Sequence, residues 1–266
     1  MEKVVIRIVI ILVLFFGLFY GLQQIDWMTI FEVEETTKSN EEKFGELIWE
    51  TISGTETIVK DESVNKGIDS LVTAICEAND IDREEIKVHV IEKWEVNAFA
   101  LPNNYLIIYT GLINACENEA ELCGVISHEL AHLQLDHVMK KMVKEIGLAT
   151  IQSMTAGNGG AQVVLESLKH LTSTVYDRSL ETDADIKAVD YMVEAKIDPE
   201  QFANFLYGIG GDDSDISKFT DWINTHPNSQ ARAEYIITYS LTKTDMEFET
   251  ILSDESWVEL QLGVDY

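Results

Sequence analysis

One nine-residue stretch, Gly124-Val-Ile-Ser-His128-Glu129-Leu-Ala-His132, narrows what this chain can be more than any other part of it. Glu119-Ala-Glu-Leu-Cys leads into it, and the whole reads as one helix with apolar residues on its buried side. At a separation of four residues both imidazoles leave the same face and can meet one tetrahedral zinc. Glu129 is rotated round by one residue, which places a carboxylate beside a zinc-acidified water, where it can serve as general base. A third protein ligand is needed, and the neighbours do not supply it. His137, five residues past His132, points well away from the zinc face, and Asp136 shares that face but lies a turn further on with a side chain too short to reach back. Leu135 and Val138 stand where an extended motif would carry Gly and His. The candidate therefore comes from Asp177-Arg178-Ser-Leu-Glu181-Thr-Asp183-Ala-Asp185. There Glu181 and Asp185 share a helix face, the first suited to bind zinc and the second to orient a ligand imidazole through its other N–H.

Composition removes several alternatives. The 266 residues carry 19 Lys and Arg against 47 Asp and Glu, a formal charge of −28, with no basic run to neutralise phosphates, so nucleic acid is excluded as a partner. An apolar fraction of 46% and only three prolines favour a packed, helix-rich chain over an acidic disordered one. Three cysteines are too few for a disulfide scaffold, and Cys76, Cys116 and Cys123 read as small core residues.

Residues 4–22 are apolar, Gly or Tyr apart from Arg7, and as a helix they would span roughly 28 Å, close to the thickness of a bilayer core. A single-pass anchor, a cleaved signal peptide and a buried core helix compete here. No small-x-small pair follows in Gly21-Leu22-Gln23-Gln24-Ile25-Asp26-Trp27, which favours the anchor. Lys3 and Arg7 flank its start and the next basic residue is Lys38, so the N-terminus is expected in the cytoplasm and the remainder outside. A polar linker over 23–40 would lead into helices over 41–59 and 63–79. Short strands are expected over 87–91, 98–100 and 105–109, with Pro102-Asn103-Asn104 as the last turn. The rest reads as helix, interrupted at 155–161 and 208–217.

These motifs together resemble metallopeptidase family forty-eight, whose members include the HtpX heat-shock protease, the CAAX prenyl protease and periplasmic BepA-like proteases. Two flanking signatures strengthen the likeness: Asn97-Ala98-Phe99-Ala100-Leu101-Pro102 running on to Tyr109-Thr110-Gly111-Leu112, and Thr225-His226-Pro227 followed by Arg232. The resemblance covers about residues 65–240 with the motifs in the family's order. It implies an α+β, mainly α, gluzincin-type domain over 41–266, with a small β-sheet beside the active-site helix and one N-terminal transmembrane helix in addition. Carried over, His128, His132 and Glu181 would bind one zinc, Glu129 would be the base, and Asp185 would steady a ligand. His226 would stabilise the oxyanion and Arg232 would support that wall. Asn97, Ala98, Phe99 and Ala100 would form an edge strand that pairs with substrate backbone. Three departures from the family pattern, Asn103-Asn104 for Gly-Gly, Asp183 for Glu and Ala188 for Gly, touch none of the implied ligands.

The resemblance points to a zinc metalloendopeptidase of the inner membrane, with a periplasmic or extracytoplasmic catalytic domain, acting on unfolded or misfolded proteins in envelope quality control. The alternative is a periplasmic chaperone or assembly factor with a latent or vestigial zinc site. An intramembrane prenyl-protein protease fits less well, because one anchor cannot build a chamber of several spanning helices.

Overall fold

The computed structural model describes residues 33–158, 161–174, 176–210, 219–243 and 247–264. The apolar run at 4–22 lies outside them, as does most of the 208–217 interruption. Among the described residues no helix is long and apolar enough to cross a membrane. The chain divides into a unit over residues 1–40 and a larger one over 41–266, and only helix is described in the first.

Helix α1 runs Val33–Thr55, and α2 runs Glu62–Ala78. The polar stretch expected as a linker to residue 40 is thus helical from Val33. Its Glu, Lys and Ser residues are adequate helix formers, and polarity alone does not separate an exposed helix from a loop. Asp61 starts α2 by accepting the backbone N–H groups of Ser63 and Val64. Val64, Ile68, Leu71, Val72 and Ile75 then bury one face at helical spacing.

The sheet follows. Strands β1 (Lys87–Ile91), β2 (Ala98–Leu101) and β3 (Tyr105–Tyr109) lie in the order β1-β3-β2, with β1 parallel and β2 antiparallel to β3. Pro102, Asn103 and Asn104 make the β2–β3 turn, with Asn103 at φ 64° and Asn104 at φ 58°. A tight hairpin needs left-handed backbone there, and Asn tolerates it better than any other non-glycine residue. Thr57 and Val59 cover the end of β1 through hydrogen bonds with Glu92 and Val90, both 2.9 Å. The outer edge of β2 faces the zinc-motif helix.

The remaining helices are α3 (Thr110–Ala115), α4 (Glu119–Gln134), α5 (His137–Ile146), α6 (Leu148–Ser153), α7 (Ala161–Ser173), α8 (Arg178–Glu194), α9 (Glu200–Gly210), α10 (Thr220–Thr225), α11 (Ser229–Ser240) and α12 (Asp254–Leu262). The central element is α4, buried along nearly its whole length and capped by Asn118, which accepts the N–H of Glu121. It crosses α9 at Gly124, where an added Cβ would stand 2.4 Å from the Cβ of Phe202 and 2.9 Å from its Cα. At its start, the Glu119 carboxylate accepts the backbone N–H groups of Ile251 and Leu252 and ties the C-terminal segment to it. α4 ends abruptly: Asp136 is left-handed at φ 56°, and α5 sets off in a new direction. All three cysteines are buried and free.

Candidate active site

Three parts of the fold meet behind β2. α4 brings His128, Glu129 and His132, α8 brings Glu181 and Asp185, and the α10–α11 junction brings His226, with Arg232 in the first turn of α11. All seven side chains are buried. His226 closes α10 by donating its backbone N–H to Trp222, and Asn228, left-handed at φ 62°, starts α11. Pro227 therefore lies in the connection and not in the first turn of the following helix.

Four donor groups converge. His128 Nε2 is 3.1 Å from His132 Nε2 and 3.3 Å from His226 Nδ1. Glu181 Oε1 is 3.0 Å from His226 Nδ1 and 3.4 Å from His132 Nε2, and its Oε2 is 3.7 Å from His128 Nε2. Corners of a tetrahedron drawn at zinc–ligand distances of about 2.0–2.1 Å lie about 3.3–3.4 Å apart, so these separations suit zinc. Charge points the same way. Glu129, Glu181 and Asp185 are three buried carboxylates against the buried cations Arg232 and Lys141, an excess of negative charge that a divalent cation would offset. The residues present thus fit the metal.

Glu129 stands beside the cluster. Its Oε2 accepts the backbone N–H of Ala100 on β2 at 2.9 Å, and its Oε1 is 3.3 Å from His226 Nε2, poorly aligned for a hydrogen bond. Burial pushes its carboxyl up to about 7, with Glu181 adding to the shift. That range suits a group that takes a proton near neutral pH.

Other side chains hold these donor groups from behind. Asp185 Oδ1 is 3.1 Å from His128 Nδ1. Arg232 donates from Nε and a terminal nitrogen to both oxygens of Asp185, at 2.8 and 2.7 Å, and its other terminal nitrogen is 2.8 Å from Glu181 Oε2. Burial opposes ionisation at both acids, yet Arg232 holds Asp185 below the usual carboxylate range, and His226 with Arg232 holds Glu181 well below it. The guanidinium expected to support the wall around His226 is thus engaged with these two carboxylates.

Several neighbours escaped the sequence reading. Tyr176 stacks on His132 with ring centroids 4.0 Å apart, and Lys141 Nζ lies 4.0 Å from the same aromatic ring. Trp222 stacks on His226 at 4.4 Å. His137, set aside on the assumption of a continuous helix, is buried with its Nδ1 3.0 Å from His132 Nδ1, because the break at Asp136 turns it back toward α4. The one available signal was Asp136 itself, a residue type that accepts left-handed backbone. An aromatic beside a metal centre carries no spacing signature at all.

The four residues expected to meet substrate lie on or just before β2. Phe99 and Leu101 face Ile107 and Tyr105 across the ladder, while the Ala100 N–H points outward to Glu129. Asn97 accepts the N–H of Tyr109 through its backbone, and its buried Oδ1 has no hydrogen-bond partner among the described residues.

The sequence profile of peptidase family M48 matches residues 62–239, more than half of the chain. Among curated proteins, the mitochondrial metalloendopeptidase OMA1 of Arabidopsis thaliana is 25% identical over 211 residues, covering 76% of this chain and 41% of the relative. The metalloprotease LoiP of Escherichia coli is 30% identical over 165 residues, 59% of this chain and 64% of the relative. The beta-barrel assembly-enhancing protease of Yersinia pestis is 23% identical over 171 residues, 59% and 35% respectively. The matched region spans about a third to two thirds of the length of these relatives.

Proposed function

The chain belongs to peptidase family M48, and from that premise we propose that it is a zinc-dependent metalloendopeptidase of the cell envelope. Its zinc would be held by His128, His132 and Glu181, with residues 4–22 as a single inner-membrane anchor and the catalytic domain outside the cytoplasm. The observation that carries the reading is the buried donor cluster with Glu129 at its side and the β2 edge in front. Zinc bound there supplies a Lewis acid that polarises the scissile carbonyl and acidifies water.

The protein's own groups do the rest. Glu129 takes the proton of the attacking water and passes it to the leaving amine. An extended substrate segment lies along β2 and pairs through backbone groups, which tolerates many side chains and selects for unfolded protein. Asp185 fixes the tautomer of His128, and Arg232 keeps Asp185 and Glu181 ionised. His226 stands fourth in the donor cluster, buried and stacked on Trp222, beside the place a substrate carbonyl would take. Its ring N–H then faces the developing negative oxygen.

The full chain in detergent, assayed for metal content and casein cleavage, tests this. We expect one zinc per chain, and Glu129→Gln should keep the zinc while cleavage falls by about 10²–10⁴-fold. His226→Ala should also keep zinc and lose about 10²–10³-fold in kcat. No zinc after reconstitution would overturn the reading. A second reading, a chaperone with a latent site, is favoured by the fourth donor standing in the cluster. Zinc without cleavage, and a cellular role that survives Glu129→Gln, would select it.

A further inference from the structure

We propose that His137 is a positioning residue: it accepts the Nδ1–H of His132 and so holds that imidazole with its Nε2 lone pair toward the metal. The proposal rests on the metal site described above. His132 Nε2 faces His128 Nε2 at 3.1 Å and Glu181 Oε1 at 3.4 Å, so Nε2 is its metal-facing atom. A neutral imidazole that offers one nitrogen as a ligand carries its proton on the other. In His132 that other nitrogen is Nδ1, whose neighbour at 3.0 Å is His137 Nδ1. Both rings are buried, at 0% and 2% exposure, so water does not replace the partner. The geometry therefore fixes two tautomers in series. His137 Nδ1 must be bare to accept, and its own proton sits on Nε2.

The backbone is built for this contact. On an unbroken helix residue 137 would lie about 140° round from His132. The left-handed Asp136 reverses the chain after Leu135 and turns the first residue of α5 inward. Stacking on Tyr176 restrains the tilt of the His132 ring, and the hydrogen bond it donates to His137 holds its orientation. The two ligand histidines are thus supported differently, His128 by the carboxylate of Asp185 and His132 by a neutral ring.

Zinc affinity of the full chain, read by competition with a chromophoric chelator, separates positioning from bulk packing. His137→Phe keeps a ring and removes the acceptor, and should weaken zinc binding about 10–100-fold while the metal-free protein melts within a few degrees of wild type. His137→Asn places an amide oxygen near the position of Nδ1 and should restore binding to within about threefold of wild type. Nitrogen-15 NMR of the zinc-loaded wild type should show His132 protonated at Nδ1 and His137 bare at Nδ1, a readout that stands even if a variant fails to fold. Unchanged affinity in His137→Phe, or a proton found on His137 Nδ1, would overturn the proposal alone. Failure of the wild type to bind zinc would overturn the metal reading and this proposal with it.

Discussion

Lys141 shows how much a single side chain near the site is asked to bear. It is buried against the ring of Tyr176, and burial pushes its ammonium down to about 8. In the unfolded chain the same group titrates near 10.5. Between those values the unfolded state binds the extra proton, so stability rises as pH climbs from about 8 to about 10.5. Below 8 the burial cost is present in full. Lys141→Met should therefore be more stable than wild type at pH 7, by about 1–3 kcal/mol after loss of the cation–ring contact, and the gap should close by pH 10. Urea unfolding at the two pH values checks this, and an equal difference at both would refute it. Much at this scale was readable beforehand. His128, Glu129, His132, Glu181 and Asp185 stand out by residue type at helical spacing, and all five meet in one buried cluster. His137 and Tyr176 were not readable, because their roles depend on a helix break and a ring stack that no periodicity encodes.

At the scale of elements, α4 is buried along nearly its whole length and packs closely against α9. Gly124 lets the backbone of Phe202 come close, and an alanine there would drive its Cβ into Phe202 atoms 2.4–2.9 Å away. Alanine is the better helix former by about 1 kcal/mol, yet overpacking costs about 1–3 kcal/mol or more. Gly124→Ala should thus lower the melting temperature by several degrees and shift α4 against β2. A thermal melt beside the casein rate would expose any disagreement, since a more stable variant would mean α9 can give way. β2 and β3 were legible as short apolar runs bounded by Pro, Asn or Gly, and β1 by its β-branched Val88, Val90 and Ile91, and each begins where it was expected. The early start of α1 was not, since a polar helix and a polar linker have the same composition.

Taken as a whole, the molecule places its charge problem at its centre. Three buried carboxylates and three histidine rings crowd one point, so the metal should be a large part of its stability. With free zinc about a thousandfold above its dissociation constant, binding adds about 4 kcal/mol. Chelation should then lower the melting temperature by roughly 8–16 °C, restored on adding zinc back. A melt insensitive to chelator would mean that the cluster is held by protein contacts alone. The cluster is also spread thinly along the chain: His128 and His226, 3.3 Å apart in space, are separated by 98 positions in sequence. A ribosome making this protein releases α4 long before the α10–α11 junction, and the C-terminal residues that brace Glu119 come later still. Donors and brace drawn from such distant stretches mean that the full buried cluster cannot assemble on a partial chain that lacks the α10–α11 junction.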